Sequence, residues 1–351
     1  MTKEDFILQF DPNAPGATGN LFGLPFTPDV AELIVIPVPW EVTVSYHTGT
    51  VNGPHAILNA SSQIDLAVKD IPDAWKLGIG MLPIPSDLVA ECSKLRELAS
   101  KRIASLEAGE KIYGDDPVVP KVNEGCENLN VYIKSLTQKL LKEGKMVALL
   151  GGDHSTPLGF IRALSERYNR FGVLQFDAHA DLRKAYEGFT YSHASIMYNA
   201  LKLPAVARLV QVGIRDYCDE ELHVMKRGMG RIKTYFDSDL KAALYEGETW
   251  ASLCDAIIND LPQDVYISFD IDGLDPKLCP NTGTPVAGGL EFEQAVYLIK
   301  RVVASGRKII GFDLNEVAPG KDDWDANVGA RLLYHLCNWM AVSQGKLIAN
   351  S

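Results

Sequence analysis

The stretch Val173-Leu-Gln-Phe-Asp-Ala-His-Ala-Asp181 joins a short apolar run to three side chains of metal-ligand type. The apolar residues 173–176 predict a buried strand, and Asp177, His179 and Asp181 follow at its carboxyl end. Side chains at positions i, i+2 and i+4 of an extended chain point to one side, so these three can converge. Buried carboxylates and imidazoles are costly unless a cation holds them together. The stretch therefore predicts a strand that ends in a metal site.

Three further segments repeat this arrangement elsewhere in the chain. Gly151-Gly-Asp-His-Ser155 follows the apolar run 147–150, and Asp270-Ile-Asp272 follows the run 265–269. Asn315-Glu-Val-Ala-Pro319 comes after the last strand candidate. A single Asp-x-Asp is more often a capped loop than a pair of ligands, but four such segments with two histidines among them indicate one site. In open parallel sheets, ligands bind beyond the carboxyl ends of the strands, which is where all four segments lie.

Strands and helices alternate along the chain, which predicts an α/β fold with a parallel sheet covered by helices on both faces. The strand candidates are short apolar runs at residues 33–38, 77–81, 147–150, 173–176, 209–212, 232–235, 265–269 and 309–312. The helix candidates are longer amphipathic stretches at residues 54–67, 88–108, 129–142, 157–168, 250–261, 291–305 and 324–343. In the third of these, Leu129, Ile133, Leu136 and Leu140 share one face, and Gly144 marks its end.

The 351 residues divide into an N-terminal arm and one large unit. Residues 1–30 contain four prolines, which predicts an irregular arm on the surface. Residues 31–351 carry the acidic segments and the alternating pattern, so we expect a single catalytic domain there. Within it, residues 82–125 are charged and helical in pattern but contain no motif, and we interpret them as an insertion or a long crossover.

Composition and charge limit the partners of the protein. Hydrophobic residues make up 46% of the chain, which is typical of a globular protein with a sizeable core. The formal net charge of −11 disfavours binding to nucleic acid or to an anionic membrane. No apolar run approaches the length of a membrane span, and the N-terminus lacks the apolar core of a signal peptide, so we expect a cytoplasmic protein. The six cysteines have no paired spacing, and we expect reduced thiols.

The ionisable groups at the strand ends require two divalent cations. Four ionised aspartates carry four negative charges, which two divalent cations balance, and such a centre can bind a hydroxide and lower its pKa towards neutrality. Carboxylate oxygens with two imidazoles and no thiolate suit Mn²⁺, Ni²⁺, Co²⁺ or iron better than a structural zinc. We therefore expect a two-metal hydrolytic site. Its ligand candidates are His154, Asp177, His179, Asp181, Asp270 and Asp272.

Two further residues complete the candidate site. His193 lies beyond Asp181 on a polar loop that can fold back over the metals, where an imidazole can pass a proton to a leaving amine. Glu316 follows the last strand and is expected to face the same pocket, where a planar guanidinium would match its carboxylate in bidentate geometry. On the same loop, Arg183 and Glu187 are spaced i,i+4 and are predicted to form an ion pair. We therefore expect a structural rather than a substrate-binding role for Arg183.

These motifs resemble, in order along the chain, the signatures of the arginase/agmatinase (ureohydrolase) family. They are Gly-Gly-Asp-His-Ser, Asp-Ala-His-Ala-Asp, Ser-Phe-Asp-Ile-Asp-Gly-Leu-Asp-Pro, Thr-Gly-Thr-Pro and Glu-Val-Ala-Pro, and the match runs from about residue 34 to residue 336. The resemblance implies a three-layer αβα sandwich with an eight-stranded, mostly parallel sheet. It also implies a binuclear manganese site and a homo-oligomer, commonly a trimer or a hexamer.

The resemblance assigns a role to each residue that matches a motif. One metal would be held by His154, Asp177, Asp181 and Asp270, and the other by His179, Asp177, Asp270 and Asp272. A metal-bridging hydroxide would attack the guanidinium carbon, and the tetrahedral intermediate would collapse to urea and an amine. The catalytic residues so implied are His193 as the proton shuttle, Glu316 as the guanidinium-binding carboxylate, and Asp181.

The substrate that the resemblance implies is agmatine, which would be cleaved to putrescine and urea. Residues 181–193 look like those of bacterial agmatinases, whereas arginases carry Asn and Ser at places that Arg183, Phe189 and Tyr191 occupy here. Trp40 is unusual for either group. Guanidine, guanidinobutyrate, arginine and formimidoylglutamate therefore stay open as substrates.

Three other classes of protein are alternatives. A deacetylase-like relative would use a single zinc, but the retention of His154, Asp181 and Asp272 favours a second metal. A non-catalytic regulatory homologue would have no need for the full ligand set. A two-metal phosphoesterase would require Arg or Lys clamps or a glycine-rich cradle, and Gly151-Gly152 is too short for one. The sequence therefore favours a hydrolase of guanidino compounds.

Overall fold

Eight short apolar runs form one sheet in the computed structural model, which describes residues 1–110, 116–228 and 230–350. Each pair of neighbouring strands is parallel. All eight predicted strands are present, most of them with longer ends. The strands are β1 Leu33–Val38, β2 Ile79–Met81, β3 Met146–Gly151, β4 Phe171–Phe176, β5 Val206–Ile214, β6 Ile232–Phe236, β7 Asp264–Asp270 and β8 Lys308–Asn315.

The order of the strands places the acidic segments side by side. The sheet runs β2-β1-β3-β8-β7-β4-β5-β6, so β3 and β4, consecutive in the chain, are separated by β8 and β7. These four central strands are buried along almost their whole length, as parallel strands covered by helices on both faces must be. They are also the four strands that the acidic segments follow. The segments therefore meet beyond the carboxyl ends of the four central strands, where open parallel sheets bind ligands.

The described residues form eleven α-helices, and seven of them correspond to predicted helices. The helix at the C-terminus has the predicted bounds, whereas the one before β3 begins at Val118 rather than at Leu129. Four short helices had no clear signal in the sequence. The helices are α1 Lys3–Gln9, α2 Gly53–Ser61, α3 Ser86–Glu107, α4 Val118–Lys142, α5 Leu158–Arg167, α6 Ile196–Ala200, α7 Asp219–Arg227, α8 Asp237–Tyr245, α9 Trp250–Asn259, α10 Phe292–Ala304 and α11 Trp324–Ser343.

The first thirty residues, expected to form an irregular arm, contain one helix and a buried segment. Helix α1 begins at a capping box, in which the Thr2 hydroxyl accepts from the Asp5 amide and the Asp5 carboxylate accepts from the Thr2 amide. Further along, Leu21, Phe22 and Leu24 are buried in the hydrophobic core. The ring of Phe22 lies 4.9 Å from that of Tyr334 in α11. The segment therefore packs against the core through its apolar side chains, although its prolines keep most of it out of regular structure.

Helices α3 and α4 account for most of residues 82–125, the part of the chain without motifs. They lie between β2 and β3, the two strands that flank β1, so this connection crosses β1. Gly125 of α4 allows the close approach of the two helices, because a β-carbon there would clash with the side chain of Leu95 in α3. The assignment of residues 31–351 to one catalytic domain stays a prediction.

Two further features concern the cysteines and the helices. All six cysteines are free thiols and five of them are buried. Burial raises the pKa of the Cys92 thiol to about 12, so this thiol is held neutral and unreactive. Among the helices of the described residues, none combines the length and hydrophobicity of a membrane-spanning segment.

Candidate metal centre

The first cluster of the site surrounds one nitrogen of His154. Its Nδ1 atom lies 3.0 Å from Asp177 Oδ2, 2.9 Å from Asp181 Oδ2 and 3.4 Å from Asp270 Oδ2. All four side chains are buried. Nδ1 has no hydrogen-bond partner of acceptable geometry among the described residues. Three carboxylate oxygens and one imidazole nitrogen thus converge on a single point.

The tautomer of His154 is set by two polar residues behind it. Its Nε2 lies 2.9 Å from Ser268 Oγ, and this hydroxyl donates to Asp313 Oδ1 at 3.0 Å. Because the serine proton points at Asp313, the serine oxygen accepts from Nε2–H, and in the neutral imidazole this leaves the lone pair on Nδ1. A histidine that ligates a metal is held in the same way, with its second nitrogen donating to a fixed acceptor. This arrangement therefore fits a cation at Nδ1.

The second cluster adjoins the first through Asp177. Nδ1 of His179 lies 3.0 Å from Asp272 Oδ2 and 3.6 Å from Asp177 Oδ1. The ligand atoms of His154, Asp177 and Asp270 lie close enough together to hold one metal ion, and so do those of Asp177, His179 and Asp272, so that Asp177 belongs to both groups. The backbone amide of Asp272 donates to Asp270 Oδ1 at 2.9 Å, which fixes the two aspartates relative to each other. The geometry is that of two adjacent sites bridged by a carboxylate.

Buried polar side chains in the strands fix the ligands. Asp177 accepts from Gln175 Nε2 at 2.7 Å and from the His179 amide at 2.6 Å. Gln175 in turn accepts from Gln211 Nε2 at 2.7 Å, a contact between β4 and β5. Asp181 has a left-handed backbone, with φ of 54°, and its carbonyl accepts from the amides at the start of α6. These contacts leave the metal-facing oxygens little freedom.

The residues behind the ligands were missed by the sequence reasoning, although a signal for them exists. Gln175, Ser268 and Asp313 are polar residues inside otherwise apolar strands, and all three are completely buried. Gln175 precedes Asp177 by two positions and Ser268 precedes Asp270 by two, so each lies on the same face of its strand as the ligand. A polar residue two positions before a candidate ligand is therefore a usable pattern.

The electrostatics of the clusters favour added positive charge. Burial, together with the negative charge of Asp177, raises the pKa of Asp181 to about 7. Burial and the neighbouring aspartates raise the pKa of Asp270 well above its usual range. Burial lowers the pKa of His154, but the surrounding aspartates outweigh it and raise that pKa well above its ordinary value. Without a metal ion, protons on the carboxylates and on the imidazoles balance the negative charge of the site. Divalent cations would displace these protons.

His193 lies on the wall of a cavity beside the clusters. It begins a short 3₁₀ turn, and its side chain lines a cavity of about 140 Å³ together with His179 and Asp181. Burial, assisted by the charges of His179 and His154, lowers the pKa of His193 to about 3. The imidazole is therefore neutral at physiological pH. The remaining walls are formed by Ser45, Arg183, Tyr186, Ala194, Asp216, Tyr217, Glu221 and Thr284.

Glu316 lies next to the first cluster. Its Oε1 accepts from the amide of His154 at 2.9 Å, and its carbonyl accepts from Thr282 Oγ1 at 2.8 Å. Its backbone is left-handed, with φ of 63°, and its side chain is buried. A β-carbon on Gly283 would lie 3.1 Å from Glu316 Oε2, so a glycine leaves room at that oxygen. Glu316 does not line the cavity that contains His193.

The predicted ion pair between Arg183 and Glu187 is wrong. The segment between them is a loop and not a helix, and Glu187 has a left-handed backbone with φ of 54°. Spacing of i,i+4 therefore does not bring the two side chains together. Arg183 instead lies 4.8 Å over the ring of Tyr186, with its Nε 3.9 Å from Glu221 Oε2. Its guanidinium lines the cavity.

The sequence profile of the arginase family matches residues 31–338. The chain belongs to the arginase family. It is a ureohydrolase, an enzyme that hydrolyses a C–N bond of a linear amidine. The family uses a binuclear divalent-metal centre, and the His and Asp clusters that such a centre requires are present here. The predictions of the family, the fold and the enzyme class are confirmed.

Individual relatives support the same assignment. This arginase-family chain is 32% identical over 331 residues to an N(1)-aminopropylagmatine ureohydrolase of Thermus thermophilus, covering 93% of this chain and 97% of the relative. It is 28% identical over 329 residues to an agmatinase of Cronobacter sakazakii, with 92% of each covered. The agmatine ureohydrolase of Thermoplasma volcanium shares its fold, with a TM-score of 0.69, 22% sequence identity, and coverage of 98% of this chain and 99% of that one.

Proposed function

We propose that this ureohydrolase releases urea from agmatine and leaves putrescine. The observation that carries the proposal is the position of Asp177, which joins two His/Asp clusters beside a cavity walled by His193. N(1)-aminopropylagmatine is the second candidate substrate, because relatives with that activity are as similar to the chain as any agmatinase reported above.

The donor set fits two divalent cations, and we propose Mn²⁺, with Ni²⁺ or Co²⁺ as substitutes, because carboxylates and imidazoles without thiolates suit these ions. When bound, the two cations act as Lewis acids that lower the pKa of a water towards neutrality. The proposed ligands of one ion are His154, Asp177, Asp181 and Asp270, and those of the other are His179, Asp177, Asp270 and Asp272.

Glu316 is the proposed partner of the guanidinium group. Burial, assisted by the charge of Asp153, raises the pKa of its carboxyl well above the usual range, so the ionised form needs a cation beside it. A guanidinium supplies that charge, and its planar fork matches the two oxygens of a carboxylate. The His154 amide donates to Oε1, which fixes that oxygen beside a residue of the first cluster.

His193 is the proposed proton carrier. Its Nδ1 lies 3.4 Å from Ser192 Oγ, which leaves Nε2 as the atom that exchanges protons with the reactants. Because the imidazole is neutral, it first takes a proton from the attacking water and then delivers it to the nitrogen of the departing amine. The amine leaves in its protonated form. Its nitrogen then has no lone pair with which to attack the carbon again.

The charges on the cavity wall favour a cationic tail on the substrate. Asp216 and Glu221 bring two carboxylates, and Asp216 is largely exposed to solvent. Arg183 is the one arginine or lysine that the described residues place on this wall, and it stacks on Tyr186 and approaches Glu221. A substrate carboxylate, as in arginine or guanidinobutyrate, would meet this negative wall. The amine of agmatine or N(1)-aminopropylagmatine would be attracted to it.

The proposal is tested with a panel of substrates on metal-loaded protein. Urea release is measured from agmatine, N(1)-aminopropylagmatine, arginine, guanidinobutyrate and guanidine, and formamide release from formimidoylglutamate. We expect the highest kcat/KM with agmatine. A preference for N(1)-aminopropylagmatine would change the substrate but keep the reaction. If no member of the panel is hydrolysed with Mn²⁺, Ni²⁺ or Co²⁺, the proposed function is wrong, and a regulatory role becomes the better reading.

A separate proposal concerns the number of copies of this chain in the native assembly. We propose a homo-oligomer, a trimer or a hexamer, on the basis of the resemblance of its motifs to those of the family. Light scattering on the eluate of a sizing column gives the mass directly. A particle of one chain mass would refute it.

A further inference from the structure

Two loops of the site meet at His193. One loop follows β1 and contains Thr43, and the other runs between Asp181 and α6 and ends at His193. The backbone amide of His193 donates to Thr43 Oγ1 at 3.4 Å, and Thr43 is buried. The position of the imidazole therefore depends on how both loops are held.

Helix α3 holds the first loop by its backbone. Nη1 of Arg96 donates to the carbonyl of Val42 at 3.2 Å and also to that of Val44. Sγ of Cys92, one turn earlier in α3, accepts from the amide of Glu41 at 3.2 Å. The residues on both sides of Thr43 are thus fixed to α3.

The same helix holds the second loop through Arg102. Its Nε donates to the carbonyl of Glu187 at 2.7 Å, and its guanidinium carbon lies 6.0 Å from the ring centre of Phe189. Asp116, just before α4, forms an ion pair with Nη1 of Arg102, and both side chains are largely buried. A β-carbon on Gly188 would lie 2.8 Å from Nη2, so the loop fits closely around the guanidinium. In α4, Asn123 Oδ1 accepts from the amide of Thr190 at 2.9 Å.

The backbone of the second loop needs this support. Glu187 has φ of 54° and Gly188 has φ of 93°, both in the left-handed region that a glutamate rarely adopts. Backbone of this kind persists where surrounding contacts determine it fully. Arg102 provides such a contact at the carbonyl of Glu187, six residues before His193.

From these contacts we infer that Arg102 and Arg96 are positioning residues for His193, and that the segment without motifs, α3 and the start of α4, serves the reaction by holding both loops. The inference rests on the proposed role of His193 in urea release. Neither arginine touches a proposed metal ligand in the contacts described, so the effect of replacing one is expected in kcat and not in metal content.

The test compares Arg102→Ala with Lys101→Ala in the full-length, metal-loaded protein. Lys101 is the adjacent residue of α3 and forms an exposed pair with Glu97, with both side chains 70% exposed, so its replacement controls for a general weakening of the helix. Displacement of a catalytic group by about 1 Å can lower a rate by about 10²-fold. We expect Arg102→Ala to lower kcat by about 10- to 100-fold, with KM within about threefold and unchanged metal content. Lys101→Ala should retain wild-type kcat.

The decisive readout is a double-mutant cycle with His193→Ala. If Arg102 acts through His193, its replacement should change kcat by less than about twofold in the His193→Ala background, because the group that it positions is gone. Equal losses in both backgrounds would show a general structural role and would overturn the inference.

Should Arg102→Ala fail to fold, Arg102→Lys replaces it, since lysine keeps the charge opposite Asp116 but lacks the guanidinium Nε. A wild-type kcat in Arg102→Lys would likewise overturn the inference. A wild-type protein inactive on the whole substrate panel would refute the proposed function instead.

Discussion

Replacement of Ser268 by alanine isolates the contribution of the residues behind the metal site. In the neutral form of His154, the form that binds a metal ion, the serine hydroxyl fixes the proton on Nε2 and leaves the lone pair on Nδ1 among three carboxylates. Without the hydroxyl, the proton can move to Nδ1, where Asp181 Oδ2 at 2.9 Å and Asp177 Oδ2 at 3.0 Å accept it. In either protein a metal ion displaces the proton on Nδ1, but in the variant the neutral imidazole has lost the acceptor that holds its remaining proton on Nε2, so metal affinity should fall.

The expected magnitude follows from what is lost. Replacing the residue that orients a metal-bound histidine typically weakens binding by about 10- to 100-fold. That range equals about 1.4–2.7 kcal/mol of binding free energy. The metal-free protein should also lose about 1–3 kcal/mol of unfolding free energy, because buried Asp313 loses the hydroxyl that donates to it.

Titration of the metal-free protein with Mn²⁺ in a calorimeter measures this effect. Ser165→Ala is the matched control, because Ser165 also makes one side-chain hydrogen bond, to the carbonyl of Arg162, but lies in α5. We expect the weaker of two binding events to shift in Ser268→Ala and both to stay unchanged in Ser165→Ala. Metal affinities within twofold of wild type in Ser268→Ala would show that Ser268 does not set the tautomer of His154.

Further expected outcomes concern the substrate, the bridge and the pH dependence of stability. Glu316→Gln should lower kcat/KM for agmatine by about 10²–10³-fold at unchanged metal content, because a buried guanidinium loses about 2–5 kcal/mol with its carboxylate; a smaller loss than tenfold in the urea assay would contradict the role of Glu316. His193→Ala should lower kcat by about 10²–10⁴-fold with KM nearly unchanged, and a parallel rise in KM would point to binding instead. Asp177→Asn should bring metal content by elemental analysis below one ion per chain, and retention of wild-type content would exclude the bridging role. Burial raises the pKa of Glu187 to about 7. Between pH 4.5 and 7 the folded state therefore binds a proton that the unfolded state releases, and this contribution to stability is lost as pH rises through 7. Glu187→Gln should melt at a higher temperature than wild type at pH 8 and at the same temperature below pH 4.5. Circular dichroism measures both melting temperatures.

The metal-facing residues could be predicted from the sequence because of where they stand. Asp177 and Asp270 come directly after or at the end of apolar runs, and the periodicity of two in a strand places their neighbours on the same side. The parallel sheet then brings the strand ends together without further information. Ser268 was missed because a small polar residue inside an apolar run is taken as part of the core unless its position two residues before a candidate ligand is considered.

Other errors arose where local pattern and tertiary structure disagree. The start of α4 was placed too late because Pro120 and Gly125 weaken a helical pattern. Pro120 lies in the first turn, where its missing amide has no helical partner in any case, and Gly125 provides the close contact with α3. The pairing of Arg183 with Glu187 assumed a helix, whereas the left-handed backbone of the loop depends on Arg102, which is distant in sequence. Such long-range supports carry no signal in the local pattern.

The proposed reaction depends on a pair of cations joined by the carboxylate of Asp177. It is tested most directly by elemental analysis of the protein after loading with Mn²⁺ and exhaustive dialysis. We expect two manganese ions per chain. One ion per chain, or a single retained zinc, would contradict the bridged centre and would favour a site of the deacetylase kind.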